Sequence, residues 1–270
     1  MSKKNRLRGK VCVYCAERPV ETEDHIFSRR VFQTTPKENV RKVPACERCN
    51  NYKSRLEEYA GIVLLFGSEH PEAVEHLDKI GSRRLAKNRK LAHRLGKSMK
   101  RTYRLDAETG YFHEAMTVDV ESDKIAELMA MIARALYYWE RTEALPPGYM
   151  VEARWVRKGA GEDAMRDLIG VRGYPVQISL ASGLCDGKGL IGDETPGLSA
   201  WVFSLFGGVL LGVPGSTHGD SRVVGVLTGP ASAFEEANSR RGAKQKLEDA
   251  AVDNPARTIK AVATHTKQDG

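Results

Sequence analysis

Long apolar runs are absent from the 270-residue chain: no stretch of about 18 or more apolar residues occurs, so no segment reads as a transmembrane helix. The first residues, Met1-Ser2-Lys3-Lys4, lead into no apolar signal core, and the expectation is a soluble chain. Cysteine is scarce, with five residues in all, and four of them fall in two tight pairs. That usage suits metal binding in a reducing cytoplasm better than disulfides. No internal repeat is visible. The glycine-rich stretch 183–189 lacks the spacing of a phosphate loop and reads as a turn. Acidic residues are missing from 79–105, which holds eleven Lys and Arg.

What is present is unevenly charged. The chain carries +7 overall, with an excess of basic residues in 1–60, a strongly basic 79–105 and a net acidic remainder. A basic run of this density is what a protein that holds a polyanion carries, although a solvated helix face has the same composition. Arg83, Arg84, Lys87 and Lys90 are the residues of that run expected to meet phosphates.

The four paired cysteines are Cys12-x-x-Cys15 and Cys46-x-x-Cys49. Two such knuckles point to one structural Zn²⁺, because four thiolates complete a tetrahedral shell and leave no position for substrate. The thirty residues between Cys15 and Cys46 exceed the usual zinc-ribbon spacing, so something is built inside the staple. Segments 20–27 and 40–43 read as strands around a polar turn at Thr34-Thr35-Pro36, and 50–66 reads as a helix. Its apolar residues Leu56, Tyr59, Ala60, Val63 and Phe66 recur three and four apart, giving one buried face.

Cys12-x-x-Cys15, Glu23-Asp24-His25-Ile26, Asn39-Val40, Pro44-Ala45-Cys46-x-x-Cys49-Asn50-Asn51 and Lys53, taken in that order, resemble an HNH endonuclease of the His-Me finger (ββα-metal) superfamily, in the subgroup whose finger is closed by zinc on two C-x-x-C pairs. The match spans roughly 11–66. Two departures stand out: Asn50 occupies the third signature position in place of histidine, and Phe27-Ser28 replaces the usual proline. The resemblance implies a metal-dependent hydrolysis of DNA phosphodiesters with His25 as general base. It further implies Asp24 and Asn50 as oxygen ligands of a catalytic Mg²⁺ or Mn²⁺, and Asn39 as a brace for the loop bearing His25. Lys53 and Arg29 become candidate phosphate contacts. Asn50 also suits a helix N-cap, a role asparagine fills well.

Beyond the finger, 103–105 and 111–120 read as a hairpin. Ser122 reads as the N-cap of a core helix to about 142, with Ile125, Leu128, Met129, Ile132, Leu136 and Trp139 on one side. Pro146-Pro147-Gly148 ends it, and strands are expected at 150–157, 174–180, 200–211 and 222–227. Cys185 reads as a free thiol, and the histidines at 70, 76, 93, 113, 218 and 265 show no ligand spacing.

The expected fold is α+β, with an N-terminal zinc-stapled finger over 1–68, a basic helical connector over 69–105, and an α+β domain with a small antiparallel sheet over 106–232. A charged tail follows over 233–270, mobile from 241. The expected function is an endonuclease on duplex DNA, with RNA the weaker substrate because attack by external water needs no 2′-OH. The chain acts either as a nicking monomer or as a homodimer. The alternative is a non-catalytic, zinc-stapled nucleic-acid-binding protein.

Overall fold

The computed structural model describes residues 9–32, 41–68, 70–105, 110–159, 173–180, 183–212, 219–235 and 259–263. Asn39, expected to brace the His25 loop, lies outside them. The N-terminal part is a strand β1 (Thr22–His25), a short helix α1 (Arg29–Phe32), a strand β2 (Lys42–Ala45) and a helix α2 (Glu47–Val63). β1 and β2 pair antiparallel, with Asp24 opposite Val43 and His25 opposite Lys42. α2 begins earlier than its apolar stripe suggests. Cys46 is its N-cap, with the sulfur accepting from the Cys49 N–H at 3.5 Å, so Asn50 sits inside the first turn and is no cap.

The basic segment is helical only as far as residue 98. It runs through α3 (Pro71–His76), a π-helical turn (Leu77–Gly81), α4 (Ser82–Lys87) and α5 (Arg89–Ser98). Asn88 caps α5 by accepting from the Leu91 N–H at 3.1 Å. Leu91 and Leu95 are buried on one side of α5, while Arg89, Lys90, His93 and Lys97 are exposed. The chain then enters the sheet through β3 (Lys100–Leu105) and β4 (Phe112–Val120).

Helix α6 (Ser122–Arg141) matches the sequence reading closely. Its N-cap is Glu121, and Ser122 is its buried first residue. Ile125, Leu128, Met129, Ile132 and Leu136 are each 1% exposed or less, and fully burying one such side chain is worth ~1.5–3 kcal/mol. Trp139 departs from the expected stripe: it is 41% exposed and lies under the Arg41 guanidinium, 4.9 Å from the ring centre. The helix ends at Thr142, whose φ of 58° is left-handed, ahead of the Pro146-Pro147 pair that blocks further helix.

The remaining strands are β5 (Met150–Arg157), β6 (Gly173–Leu180), β7 (Cys185–Gly192), β8 (Ser199–Leu205), β9 (Val209–Gly212), β10 (Gly219–Gly229) and β11 (Ile259–Ala263). The expected small sheet is in fact nine-stranded and antiparallel, in the order β3-β4-β11-β9-β10-β8-β7-β6, with β5 also on β10. Three expectations are corrected here. The segment 200–211 is two strands, because Phe206, at φ 52°, and Gly207 and Gly208, both at positive φ, form an excursion between β8 and β9. The stretch 183–189 runs into β7 rather than forming a turn. Gly187 and Gly189 face Phe203 and Trp201 of β8, and a Cβ on Gly189 would lie 2.3 Å from the Trp201 ring. Finally, 259–263, assigned to a mobile tail, is a strand between β4 and β9.

One contiguous core joins the N-terminal part to the sheet, taking in Cys12, Ile26, Phe32 and Ile62 together with Ile132, Trp201, Phe203 and Val224. Phe32 stacks on Phe206 at 6.2 Å, and the Leu210 N–H donates to Gly67 O at 2.7 Å. The buried polar groups of the sheet are chained. Trp201 Nε1 donates to Ser199 Oγ at 2.8 Å, Ser199 and Thr228 hydroxyls meet at 2.7 Å, and Thr228 Oγ1 donates to Gly197 O at 2.7 Å. Tyr137 of α6 closes the chain by accepting from the Gly197 N–H at 2.8 Å. None of these buried groups is left unsatisfied, so they fix the helix on the sheet at little cost. Among the described residues no helix is long and apolar enough to cross a membrane.

Candidate functional site

The Cys12–Cys15 knuckle is held by backbone bonds: Cys12 N–H to Arg18 O at 2.8 Å, Ala16 N–H to Cys12 O at 2.7 Å, and Val13 N–H to Pro44 O at 3.1 Å. Cys46 and Cys49 sit across the start of α2. The four sulfurs all lie within 4.8 Å of one another. Four thiolates at Zn–S distances of 2.3 Å stand about 3.8 Å apart, so the cluster has the compactness a tetrahedral ion needs. It can hold one metal ion. Burial pushes the Cys12 and Cys49 thiols up, and ion binding at these sulfurs must therefore release protons. Burial also acts on Cys15, but N–H groups of Glu17 and Arg18 and the neighbouring thiols lower it overall. Arg134 of α6 adjoins this cluster. Burial lowers its guanidinium while the charges of Cys15 and Cys49 raise it, and it donates to Tyr149 O at 3.2 Å.

Beside the cluster, β1 meets α2 through charge. The Lys53 side chain is fully buried, with Nζ 3.0 Å from Asp24 Oδ2 and 2.8 Å from His25 O, and paired with Glu57 Oε1. Tyr14 donates to the same Asp24 Oδ2 at 2.5 Å. Lys53 is therefore no phosphate contact: its ammonium is enclosed by two carboxylates and a carbonyl. Glu57, whose carboxyl burial pushes up against the opposing pull of Lys53, and Tyr14 were both missed from sequence. The one available signal was the four-residue spacing of Lys53 and Glu57, which is that of a helical ion pair. Removing one partner from a buried pair strands the other charges and costs about 3–5 kcal/mol. Lys53→Met should accordingly lower the urea midpoint of unfolding by that amount of stability. A midpoint unchanged from wild type would show that the network contributes nothing.

His25 is the last residue of β1 and sits opposite Lys42 in the register of β2. His25 is partly exposed, and Lys42 and Arg29 are exposed. Burial first, then Lys42, Arg29 and Lys53, lower the His25 pKa, with Asp24 opposing. Lys42 is a third residue that sequence reading missed, and only the strand register reveals it. Asn50 lies on the α2 face that carries Lys53 and Glu57, three and seven residues earlier, and is partly exposed. Asp24 and His25 thus lie on β1 and Asn50 in the first turn of α2, with Lys53 joining Asp24 to the His25 backbone.

The basic segment is divided in role. Arg84 Nη1 donates to Gly61 O at 2.9 Å, binding α4 to the end of α2, where a cation suits the helix dipole. Arg84 is a tether and not a free phosphate contact. Arg94 pairs with Glu121 and lies over the Tyr59 ring. Arg83, Lys87 and Lys90 are exposed as expected. A scan against protein-family models and searches of curated proteins and of solved structures return no match.

Proposed function

We propose that this chain is an HNH-type endonuclease that hydrolyses DNA phosphodiesters with a divalent ion and His25 as general base, its β–β–α unit stapled by Zn²⁺ on Cys12, Cys15, Cys46 and Cys49. The observation that carries the reading is His25 itself: a histidine of lowered pKa beside Lys42 and Arg29, on a strand whose carbonyl is pinned by a buried lysine. A neutral imidazole can take a proton from water at neutral pH, and the two cations beside it oppose the charge of a phosphate brought there. Asp24, through the carboxylate oxygen not engaged by Tyr14 and Lys53, and the Asn50 side-chain oxygen would be the donors to a hard ion. Asp24, Glu57 and Lys53 sum to one net negative charge when ionised, which suits weak, exchangeable binding of Mg²⁺ or Mn²⁺. When bound there, the ion would supply stabilisation of charge on the phosphate and the departing 3′ oxygen.

The cations named above would meet phosphates, so a 2′-OH is not required, and the exposed basic residues of α5 suit a nucleic-acid backbone such as that of duplex DNA. The second reading, a zinc-stapled nucleic-acid binder without catalysis, is favoured by one observation: Asp24 Oδ2 is already engaged by Tyr14 and Lys53. Supercoiled plasmid incubated with purified protein and Mg²⁺ or Mn²⁺ separates them. Nicked or linear product that EDTA suppresses supports the enzyme. Salt-dependent binding with no product under either ion leaves the binder.

A further inference from the structure

The β3–β4 hairpin exposes more aromatic surface than any other part of the described chain. Tyr103 is 62% exposed, Phe112 64% and Tyr111 71%, within ten positions of sequence. Single exposed aromatics are ordinary, but three together on one hairpin mark an interaction site. The register arranges them. Tyr103 pairs with Glu114, and Leu105 with Phe112, so Tyr103 and Phe112 leave the same face of the hairpin as diagonal neighbours, close enough to act as one platform.

Further along β4 the same face turns inward, since Val118 and Val120 are each 1% exposed. The α5 helix packs there, with Ser98 Oγ accepting from the Asp119 N–H at 3.0 Å. The aromatic platform is therefore the part of this face that projects beyond the helical layer. Its surroundings are basic. One residue separates α5 from β3; Arg101 shares the platform's face, and Lys97 at the end of α5 and Lys100 on the other face of β3 are exposed nearby. The acid on the platform, Glu114, is taken by Arg101 at 3.0 Å.

We propose that this platform is a stacking surface for the unpaired bases of a single-stranded nucleic acid, with the adjoining cations on its phosphates. It rests on the nucleic-acid role proposed above, not on the cleavage chemistry. Every base offers a flat face to an aromatic ring, and strand binding of this kind combines such stacking with a cationic track. Duplex DNA hides its base faces, so the platform distinguishes opened from paired strands. A second copy of the chain is the other conceivable occupant. β3 is the outermost strand of its branch, but Lys100 and Arg101 along it place charge where edge-to-edge pairing would occur.

The test uses the full chain in fluorescence-anisotropy titrations against a labelled oligothymidylate and a duplex of equal length. Replacing Tyr103 and Phe112 together by serine should weaken single-strand binding by roughly 10-fold per aromatic and leave duplex affinity within a factor of about two. The pair Tyr103→Phe and Phe112→Tyr should bind like wild type. Wild-type protein crosslinked to a bromouracil-substituted strand should carry the adduct on Tyr103 or Phe112, a readout independent of how the serine variant folds. Unchanged single-strand affinity in the serine variant, or crosslinks elsewhere, overturns the platform while leaving the nuclease reading intact. Loss of a dimer in the serine variant with single-strand affinity unchanged overturns it in favour of self-association. Wild type that binds neither nucleic acid overturns both.

Discussion

Cys46→Ser should yield a chain that copurifies with no zinc and loses its cooperative thermal transition. The substitution isolates the metal, because Cys46 is also the N-cap of α2 and serine caps a helix well. What disappears is one ligand of four. Structural zinc contributes on the order of 10–16 kcal/mol of apparent binding energy to folding, as much as the roughly 5–15 kcal/mol that separates a typical domain from its unfolded state. The loss should spread beyond the knuckles. α2 feeds Leu56, Tyr59 and Ile62 into the core shared with α6 and the sheet, and the Tyr59 hydroxyl accepts from the Glu121 N–H at the head of α6 at 2.6 Å. Elemental analysis and a circular-dichroism melt check this. A variant free of zinc yet melting like wild type would remove the staple from the account.

His25→Ala should reduce divalent-dependent cleavage by about 10²–10⁴-fold, the usual contribution of a positioned base, while DNA affinity stays close to wild type. The pH dependence carries the sign. A base works deprotonated, and burial with Lys42, Arg29 and Lys53 holds His25 below its ordinary 6.5. Activity should be flat through neutrality and fall only on acidification below 6.5. Single-turnover rates on plasmid from acid to neutral pH measure it. A rate that still climbs through pH 7, or a His25→Ala variant as active as wild type, assigns the proton transfer to another group.

How much of this was written in the residues depends on the range of the interaction involved. α6 and β5 were legible because their signals are local: a 3.6-residue stripe through Ile125, Leu128, Ile132 and Leu136, and a Pro146-Pro147-Gly148 break just ahead of Met150. The cysteine cluster was legible because ligand chemistry dictates spacing. β7 was not, since glycines at 187 and 189 read as a turn until Trp201 and Phe203 are placed over them. β11 was not, since its partners in β4 lie about 140 residues earlier in the chain. At the site, Asp24, His25 and Asn50 came from the motif. The enclosure of Lys53 did not: a lysine belongs outside by composition, and only the approach of Asp24 and Glu57 across β1 and α2 makes burial tolerable. Arg84 was misjudged for the same reason, as its partner is the Gly61 carbonyl and not solvent.

The place of β11 has a consequence for how the protein is made. It is the last of the described strands to emerge during synthesis, yet it lies inside the sheet, bonded to β4 on one side and β9 on the other. At about 5–20 residues per second, the ribosome leaves β4 waiting several seconds for the neighbour that completes it. During that interval β4 and β9 each present an open edge to other nascent chains. Finishing this sheet is thus a late step of long sequence separation, the kind that sets folding speed. A chain released before residue 259 would keep both edges open and be a target for strand exchange with its copies.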